Sequence, residues 1–443
     1  MKKVLAIVLT LVMILCIFGN CFAESTENLY EAYGRELKLN PADSLNGQYA
    51  GQKLTVFCAT GEFPAPLQES AAEFNRLTGA EVEIVVYSWE ELVSKISLAL
   101  NGDEEMDAFC FVSAFEKTFS TLGQLADLTE LSEKYGVADY NWEGFIPGLL
   151  SRTSDKNGHV FAIPYQMCDM MTYYRKDILG DTLPNDMEGL AALAAEYTKS
   201  LNPDSPTTYG YLTLYAGQSP QWSWTSRLGY YGGSFADDDW NIQLADNDAA
   251  AKAIESAKQM LPYAPESYTE YNFDEVNTLM AQGEVLIAEN WSSAAPYINS
   301  GDMEGKIGYA NTTGNSPTLS GWSLAINAKS EKQELAWKFL EFCSTEDGEM
   351  TRVDNGLPPA RTANYEYLIA NNVNVDFYTA LLNTLSCTGT WGDVCLPYLG
   401  TQGNAILADW TMKAYTNEIT AEEAVSGMVA DLNESLESVG ITH

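Results

Sequence analysis

Histidine is almost absent from this chain. Its 443 residues contain two, His159 and the C-terminal His443. A zinc site built on several imidazoles, or a Ser–His–Asp triad, would have to rely on His159, which leaves little room for either. Cationic side chains are also scarce, with 24 Lys+Arg against 61 Asp+Glu for a net charge of −37. A nucleic-acid binder needs a basic footprint, so that class is excluded, and attraction to an anionic membrane surface is disfavoured. No G-x-x-x-x-G-K-[ST] loop and no G-x-G-x-x-G after a strand occurs, so nucleotide use has no support. After the first residues no apolar run approaches the ~18–20 residues of a membrane span.

What is present begins with an export address. Lys2 and Lys3 precede an apolar stretch from Val4 to Phe18, and Cys21-Phe22-Ala23 offers a small-residue cleavage site before Glu24. The residues before Cys21 and Cys16 fit a lipid-attachment motif poorly. The expectation is therefore a signal peptide over 1–23, cleavage after Ala23, no lipid anchor and an extracytoplasmic product. Loss of Cys16 and Cys21 leaves Cys58, Cys110, Cys168, Cys343, Cys387 and Cys395, too sparse for a disulfide scaffold of this size. Cys58 and Cys110 lie in apolar strand-like runs and read as buried thiols. Cys387 and Cys395 flank a turn and could form a local bridge.

Residues 24–52 are polar and unpatterned, a lead segment. Beyond them strands and helices alternate. Lys53–Cys58, Val82–Val86 and Asp107–Val112 read as strands. Between them a stripe of Leu67, Ala71, Phe74 and Leu77 closes at Gly79, and Ser88 with Glu91 forms a capping box for a helix bearing Leu92, Ile96 and Leu100. This alternation predicts a parallel α/β sheet. Downstream, Phe161–Pro164, Met170–Tyr174, Gly283–Ile287 and Ser323–Ile326 read as strands, and 188–199 and 249–260 as helices. Ser330 with Gln333 is expected to cap a helix burying Ala336, Phe339, Leu340 and Cys343. Thr420 with Glu423 caps one burying Val425, Met428, Val429 and Leu432. Asp237, Asp239, Asn241 and Asp248 have a calcium-loop flavour. Ile242 stands where that loop needs glycine, so a hairpin turn is the better reading.

Aromatic residues in loops are the strongest chemical signal. Trp222 and Trp224 lie in Ser-Pro-Gln-Trp-Ser-Trp, Trp291 follows Asn290, and Trp322 follows Gly321. Such rings are either core or platforms for the C–H faces of a sugar. Glu62, Gln166, Asp169, Asn290 and Arg361 fall at predicted strand ends or loops, where α/β sites are built and where hydroxyls can be hydrogen-bonded. With 61 acidic residues, no carboxylate pair is singled out for glycoside hydrolysis.

A series of segments then resembles, in order, the extracellular solute-binding proteins of bacterial ABC importers, the family that includes maltose-binding protein. They are Lys53–Phe57 with Glu73–Gly79, Asn101-Gly to Asp107–Phe109, Leu125–Thr129, Ile163–Tyr165 with Tyr173–Asp177, and Gly232–Phe235. Further on come Met280–Gly283 with Glu289–Trp291, Gly321–Asn327 with Glu334–Leu340, and Gly356–Arg361. The resemblance implies an α/β, two-lobe periplasmic-binding-protein-like (type II) fold with a hinge and a ligand cleft between the lobes. It implies an N-terminal lobe of 53–165 plus 320–357 and a C-terminal lobe of 166–319 plus 358–443, with crossovers near 165–166, 319–321 and 357–361. Cleft positions carried over are Glu62, Phe63, Phe111 and Ser113 in the first lobe and Trp222, Trp224 and Trp291 in the second, with Gln166, Asp169 and Tyr173 near the hinge. Asn290, Trp322 and Arg361 complete the candidate ligand-binding set. The implied protein is a monomeric, non-catalytic receptor for a carbohydrate, working with ABC permease subunits and using no cofactor or metal. A polyamine or peptide receptor on the same fold is the alternative, and a secreted glycosidase is less favoured.

Overall fold

The computed structural model describes residues 45–438 except 103, 138–139, 156, 218, 238–240 and 392–399. The signal segment, residues 24–44, Asp239 and Cys395, with its expected bridge to Cys387, lie outside the described residues. Two sheets organise the chain. The first is built from β1 (Lys53–Ala59), β2 (Glu81–Tyr87), β3 (Ala108–Val112), β4 (Ala162–Gln166) and β10 (Trp322–Ile326), in the order β2-β1-β3-β10-β4. The second is built from β5 (Met170–Arg175), β6 (Tyr209–Leu212), β7 (Val285–Trp291) and β8 (Ile307–Ala310), in the order β6-β7-β5-β8. A short parallel pair joins β9 (Thr318–Leu319) to β11 (Thr390–Trp391).

The helices between β1, β2 and β3 form as their sequence pattern dictates. Pro64–Thr78 buries Leu67, Ala71 and Phe74, and Gly79 ends it in the left-handed conformation at φ 75°, donating its N–H to Asn75. Trp89–Asn101 opens with the reciprocal Ser88–Glu91 capping box. The predicted parallel arrangement holds for β1, β2 and β3, whereas β10 runs antiparallel to both β3 and β4. The reason is connectivity: β10 enters the first sheet from the short β9–β11 pair, at the end where β4 leaves it.

Three further expectations change. Ser330 and Gln333 do not form a cap. Ser330 instead donates to Asp107 Oδ1 at 2.6 Å, Gln333 donates to the Ala328 carbonyl, and the helix Gln333–Ser344 begins without a side-chain cap. Its predicted face of Ala336, Phe339, Leu340 and Cys343 is nevertheless fully buried. The strand expected to stop at Ile287 runs on to Trp291. The end of the segment read as a polar, unpatterned lead is packed on the fold: Leu45 and Tyr49 are buried and the Tyr49 hydroxyl donates to Glu334. Thr420 and Glu423 make their reciprocal capping bonds as expected, on the helix Ala421–Ser438. Asp237 accepts the Asn241 backbone and side-chain N–H groups, as a turn does.

Cys58 and Cys110 are buried thiols, and burial pushes Cys58 up to about 12. No helix among the described residues is long and apolar enough to cross a membrane.

A Cβ placed on Gly79 would meet the Ala50 backbone at 3.1 Å, and an L side chain resists its positive φ. Gly79→Ala is therefore expected to lower unfolding stability by roughly 1–2 kcal/mol, read from the shift in a urea melt.

Candidate functional site

Strand register fixes where a site can form. In the first sheet Trp322, at the start of β10, pairs with Val112 at the end of β3 and with Gln166 at the end of β4. In the second, Met170, at the start of β5, pairs with Trp291 at the end of β7. The crossings between sheets are residues 167–169, from β4 to β5, and 320–321, from β9 to β10. Both sheets therefore direct the carboxyl ends of their other strands at the crossings, the edge where α/β proteins bind ligands.

The rings at this edge fall into two groups. On the first sheet, Phe63 packs against Trp322 with centroids 4.1 Å apart and planes at 32°. Trp89 meets Trp322 edge-on at 6.0 Å and stacks on Phe111 at 5.4 Å. On the second, Trp222 and Trp291 form an edge-to-face pair 5.0 Å apart. Trp222, Trp291 and Trp322 are half-buried. Glu62 is exposed just after β1 and accepts a long hydrogen bond from Gln166 Nε2 at 3.4 Å. Tyr297, on the short helix Ala295–Ile298, is 50% exposed. Its hydroxyl is pushed up by partial burial and then by the charges of Glu62 and Asp274. Glu62 follows β1 of the first sheet and Tyr297 follows β7 of the second.

Several expected ligand residues are committed elsewhere. Trp224 is fully buried and its indole N–H donates to Thr411 at 2.9 Å, so it is core. Arg361 is buried. Its guanidinium donates to the Ser344 and Asn141 carbonyls, both at 2.6 Å, and lies 4.1 Å from the Phe145 ring. Phe111 is enclosed among Trp89, Phe115, Phe119 and Trp322. Ser113 is buried against the Ser323 hydroxyl, and its backbone N–H donates to the Gly321 carbonyl.

Tyr173 and Asn290 are fully buried and act on the backbone of Trp291. The Tyr173 hydroxyl donates to the Trp291 carbonyl at 2.8 Å, and Asn290 Oδ1 accepts the Trp291 N–H at 2.8 Å. Asn290 Nδ2 is held in turn by Asn277 Oδ1. Asp169 is fully buried in a two-pronged ion pair with Arg152. These residues hold the edge in place without lining it.

Sequence reasoning passed over Trp89, Tyr297, Arg152 and Glu116. Trp89 carried a visible signal, since it sits inside the capping box, but stacking on Phe111 is a tertiary fact. Tyr297 has no pattern around it. Glu116, on the helix Ser113–Thr121, is buried next to Ser323. Burial pushes its carboxyl well above the usual range, offset only in part by the Ser323 hydroxyl. The remaining carboxylates near the edge are engaged. Glu289 accepts from Tyr211 at 2.7 Å and pairs with Arg227 at 3.4 Å. His159 is paired with Asp127, which caps the helix Leu128–Tyr135, so it serves structure. No group of three metal-ligating side chains exists among the described residues.

With this geometry in place, comparison with known proteins identifies the class. The family model for bacterial extracellular solute-binding proteins matches residues 69–374, and the chain belongs to that family. The diacetylchitobiose binding protein DasA of Streptomyces coelicolor is 26% identical over 336 residues, 71% of this chain and 75% of that protein. An erythritol/L-threitol-binding protein of Mycolicibacterium smegmatis is 24% identical over 359 residues, covering 73% and 74%. Among solved structures, maltose-bound MalE3 of T. maritima superposes with a TM-score of 0.70 at 22% identity, covering 86% of this chain and 99% of that one. The sugar-binding protein MalE of Xanthomonas citri gives 0.74 at 16%, covering 88% and 98%. The fold is thus the two-lobe periplasmic-binding-protein fold.

Glu116 supplies a pH test. Its folded-state affinity for a proton is raised, so its stabilising contribution is complete below the unfolded carboxyl's titration, near pH 4, and is lost as pH rises. Glu116→Gln should raise the melting temperature at pH 7–8 and flatten the difference between pH 5 and pH 8. A parallel pH series of both proteins checks it.

Proposed function

We propose that the protein is a non-catalytic, extracytoplasmic receptor that holds a carbohydrate between its two lobes and passes it to the permease of an ABC importer. The observation that carries this reading is the three half-buried tryptophans at the edges of the two sheets, Trp322 backed by the buried Phe63 and Trp222 paired with Trp291. Ring faces of this kind suit the C–H surface of a pyranose or the carbon chain of a polyol, while Glu62, held from behind by the buried Gln166, offers hydrogen bonds to hydroxyls. The ligands of similar proteins, diacetylchitobiose, erythritol or threitol, and maltose, support the same class. We place the lobes at 53–165 plus 320–357 and 166–319 plus 358–443. Residues 45–52 and the buried turn at Ala360–Arg361, although the latter follows the last crossover, pack against the first.

A hydrolytic role fits poorly. Glycosidases need two free carboxyl groups about 5–9.5 Å apart, and near this edge Asp169 and Glu289 are locked in ion pairs while Glu116 is buried. The charged, apolar and small-residue order of the first 23 residues supports export, and the excess of acid favours a soluble monomer. A polyamine or peptide is the competing ligand, since Glu62 amid aromatic rings would also suit a cation.

A thermal-shift panel of N,N′-diacetylchitobiose, maltose, ribitol, mannitol and spermidine tests the class. A saccharide or polyol should raise the melting temperature by mass action and emerge unchanged after incubation. Stabilisation by spermidine alone would transfer the protein to the cation binders. Trp291→Ala should weaken the stabilising ligand by roughly 1–3 kcal/mol with the fold intact. Trp224→Ala should instead cost ~3–5 kcal/mol of unfolding free energy. Calorimetric titration and chemical melts of the two variants separate these effects.

A further inference from the structure

We infer that Arg152 and Asp169 are positioning residues for ligand binding: their buried ion pair fixes how the two aromatic platforms face each other. Asp169 lies in the first crossing and is fully buried. Its carboxylate accepts from Arg152 Nη1 at 2.7 Å and Nη2 at 2.8 Å, and Oδ1 also accepts the Ser320 N–H of the second crossing at 3.0 Å. The Asp169 carbonyl accepts the Ser292 N–H at 3.1 Å. Ser292 directly follows Trp291, and Ser320 stands two residues before Trp322. One side chain and its own backbone thus hold the main chain beside the platform of each lobe.

Arg152 extends the link. It ends the helix Leu149–Arg152, which packs on the first sheet, and Nη2 also reaches the carbonyl of Leu385 at 3.4 Å. Leu385 closes the helix Val375–Leu385, which packs on β8 of the second sheet. The crossings themselves touch closely: a Cβ on Gly321 would stand 2.7 Å from the Met167 sulfur. A planar guanidinium bound at both prongs resists rotation, and neither buried charge can leave its partner without a desolvation penalty. Burial already pushes the Asp169 carboxyl up despite the opposing guanidinium. The pair therefore behaves as a rigid peg through both crossings, and relative motion of the lobes must occur around it.

The inference rests on the reading that the platforms receive the solute, but one arm of its test does not. Full-length secreted protein carrying Arg152→Lys, Asp169→Asn or Arg152→Met is compared with wild type and with Trp291→Ala by small-angle X-ray scattering without ligand. The same proteins are titrated with whichever of N,N′-diacetylchitobiose, maltose or ribitol stabilises wild type most, at a temperature where urea melts show them folded. Arg152→Lys keeps the charge but loses the fork, and Asp169→Asn keeps the shape but loses the charge. Both should alter the ligand-free scattering profile and weaken binding about tenfold or more, because fewer molecules hold the competent geometry. Trp291→Ala should weaken binding with an unaltered profile. Variants that melt earlier yet keep wild-type scattering and affinity would overturn the inference and leave the pair a plain core contact. If wild type binds none of the three sugars, the carbohydrate reading falls separately and scattering alone decides the role of the pair. Should Arg152→Met not fold, the two conservative variants decide between these outcomes.

Discussion

Two short crossings between the sheets, residues 167–169 and 320–321, carry the constraint on which the rest of the molecule depends. β4 feeds β5 through one and β9 feeds β10 through the other, so each sheet must turn the edge of its strand ends towards its neighbour. A crossing in the interior exposes backbone N–H and C=O groups that have no strand partner, and these must be satisfied locally. Here the Asp169 carboxylate takes the Ser320 N–H, the Asp169 carbonyl takes that of Ser292, and the Gly321 carbonyl takes that of Ser113. Satisfying the crossings and holding the aromatic edges in place are consequently one structural task, performed by the same few groups.

The scarcity of cations takes on meaning in this light. Arg152, Arg227, Arg352 and Arg361 are all buried. Each is spent inside the protein: on Asp169, on Glu289, on Glu349 at 2.9 Å, and on the carbonyls of Ser344 and Asn141. Arg352 also lies over the Tyr165 ring at 4.3 Å. Buried pairs of this sort specify one arrangement more than they add net stability, because desolvation cancels much of their attraction. Most of the described acidic side chains lie at least partly on the surface, where like charges repel.

Much of the fold was legible because local rules and the final packing agree. The Leu67–Ala71–Phe74 stripe, the Ser88 and Thr420 caps and the left-handed Gly79 all sit where their sequence places them. The antiparallel β10 was not legible, since its direction depends on pairing with β3 and β4, which lie far back in the sequence. The site was half legible. Aromatic residues in loops marked Trp222, Trp291 and Trp322, yet spacing alone gives no way to tell Trp222 from Trp224. The two differ in which side of one helix turn they occupy, and only packing against Thr411 settles that Trp224 is core. Asp169 and Asn290 were found for their position at strand ends, and Tyr173 through the family resemblance. Their role is to hold the edge, because each spends its hydrogen bonds on the protein. Arg152 gave no signal, because its partner is defined by the crossing and not by sequence distance.

The central claim is that solute is held between the facing edges of the two sheets. Hydrogen–deuterium exchange with and without a stabilising saccharide tests it most directly. The account predicts simultaneous added protection in three segments, residues 60–66, 287–293 and 320–324, with little change in the outer helices. Protection confined to one lobe, or centred away from the crossings, would contradict it.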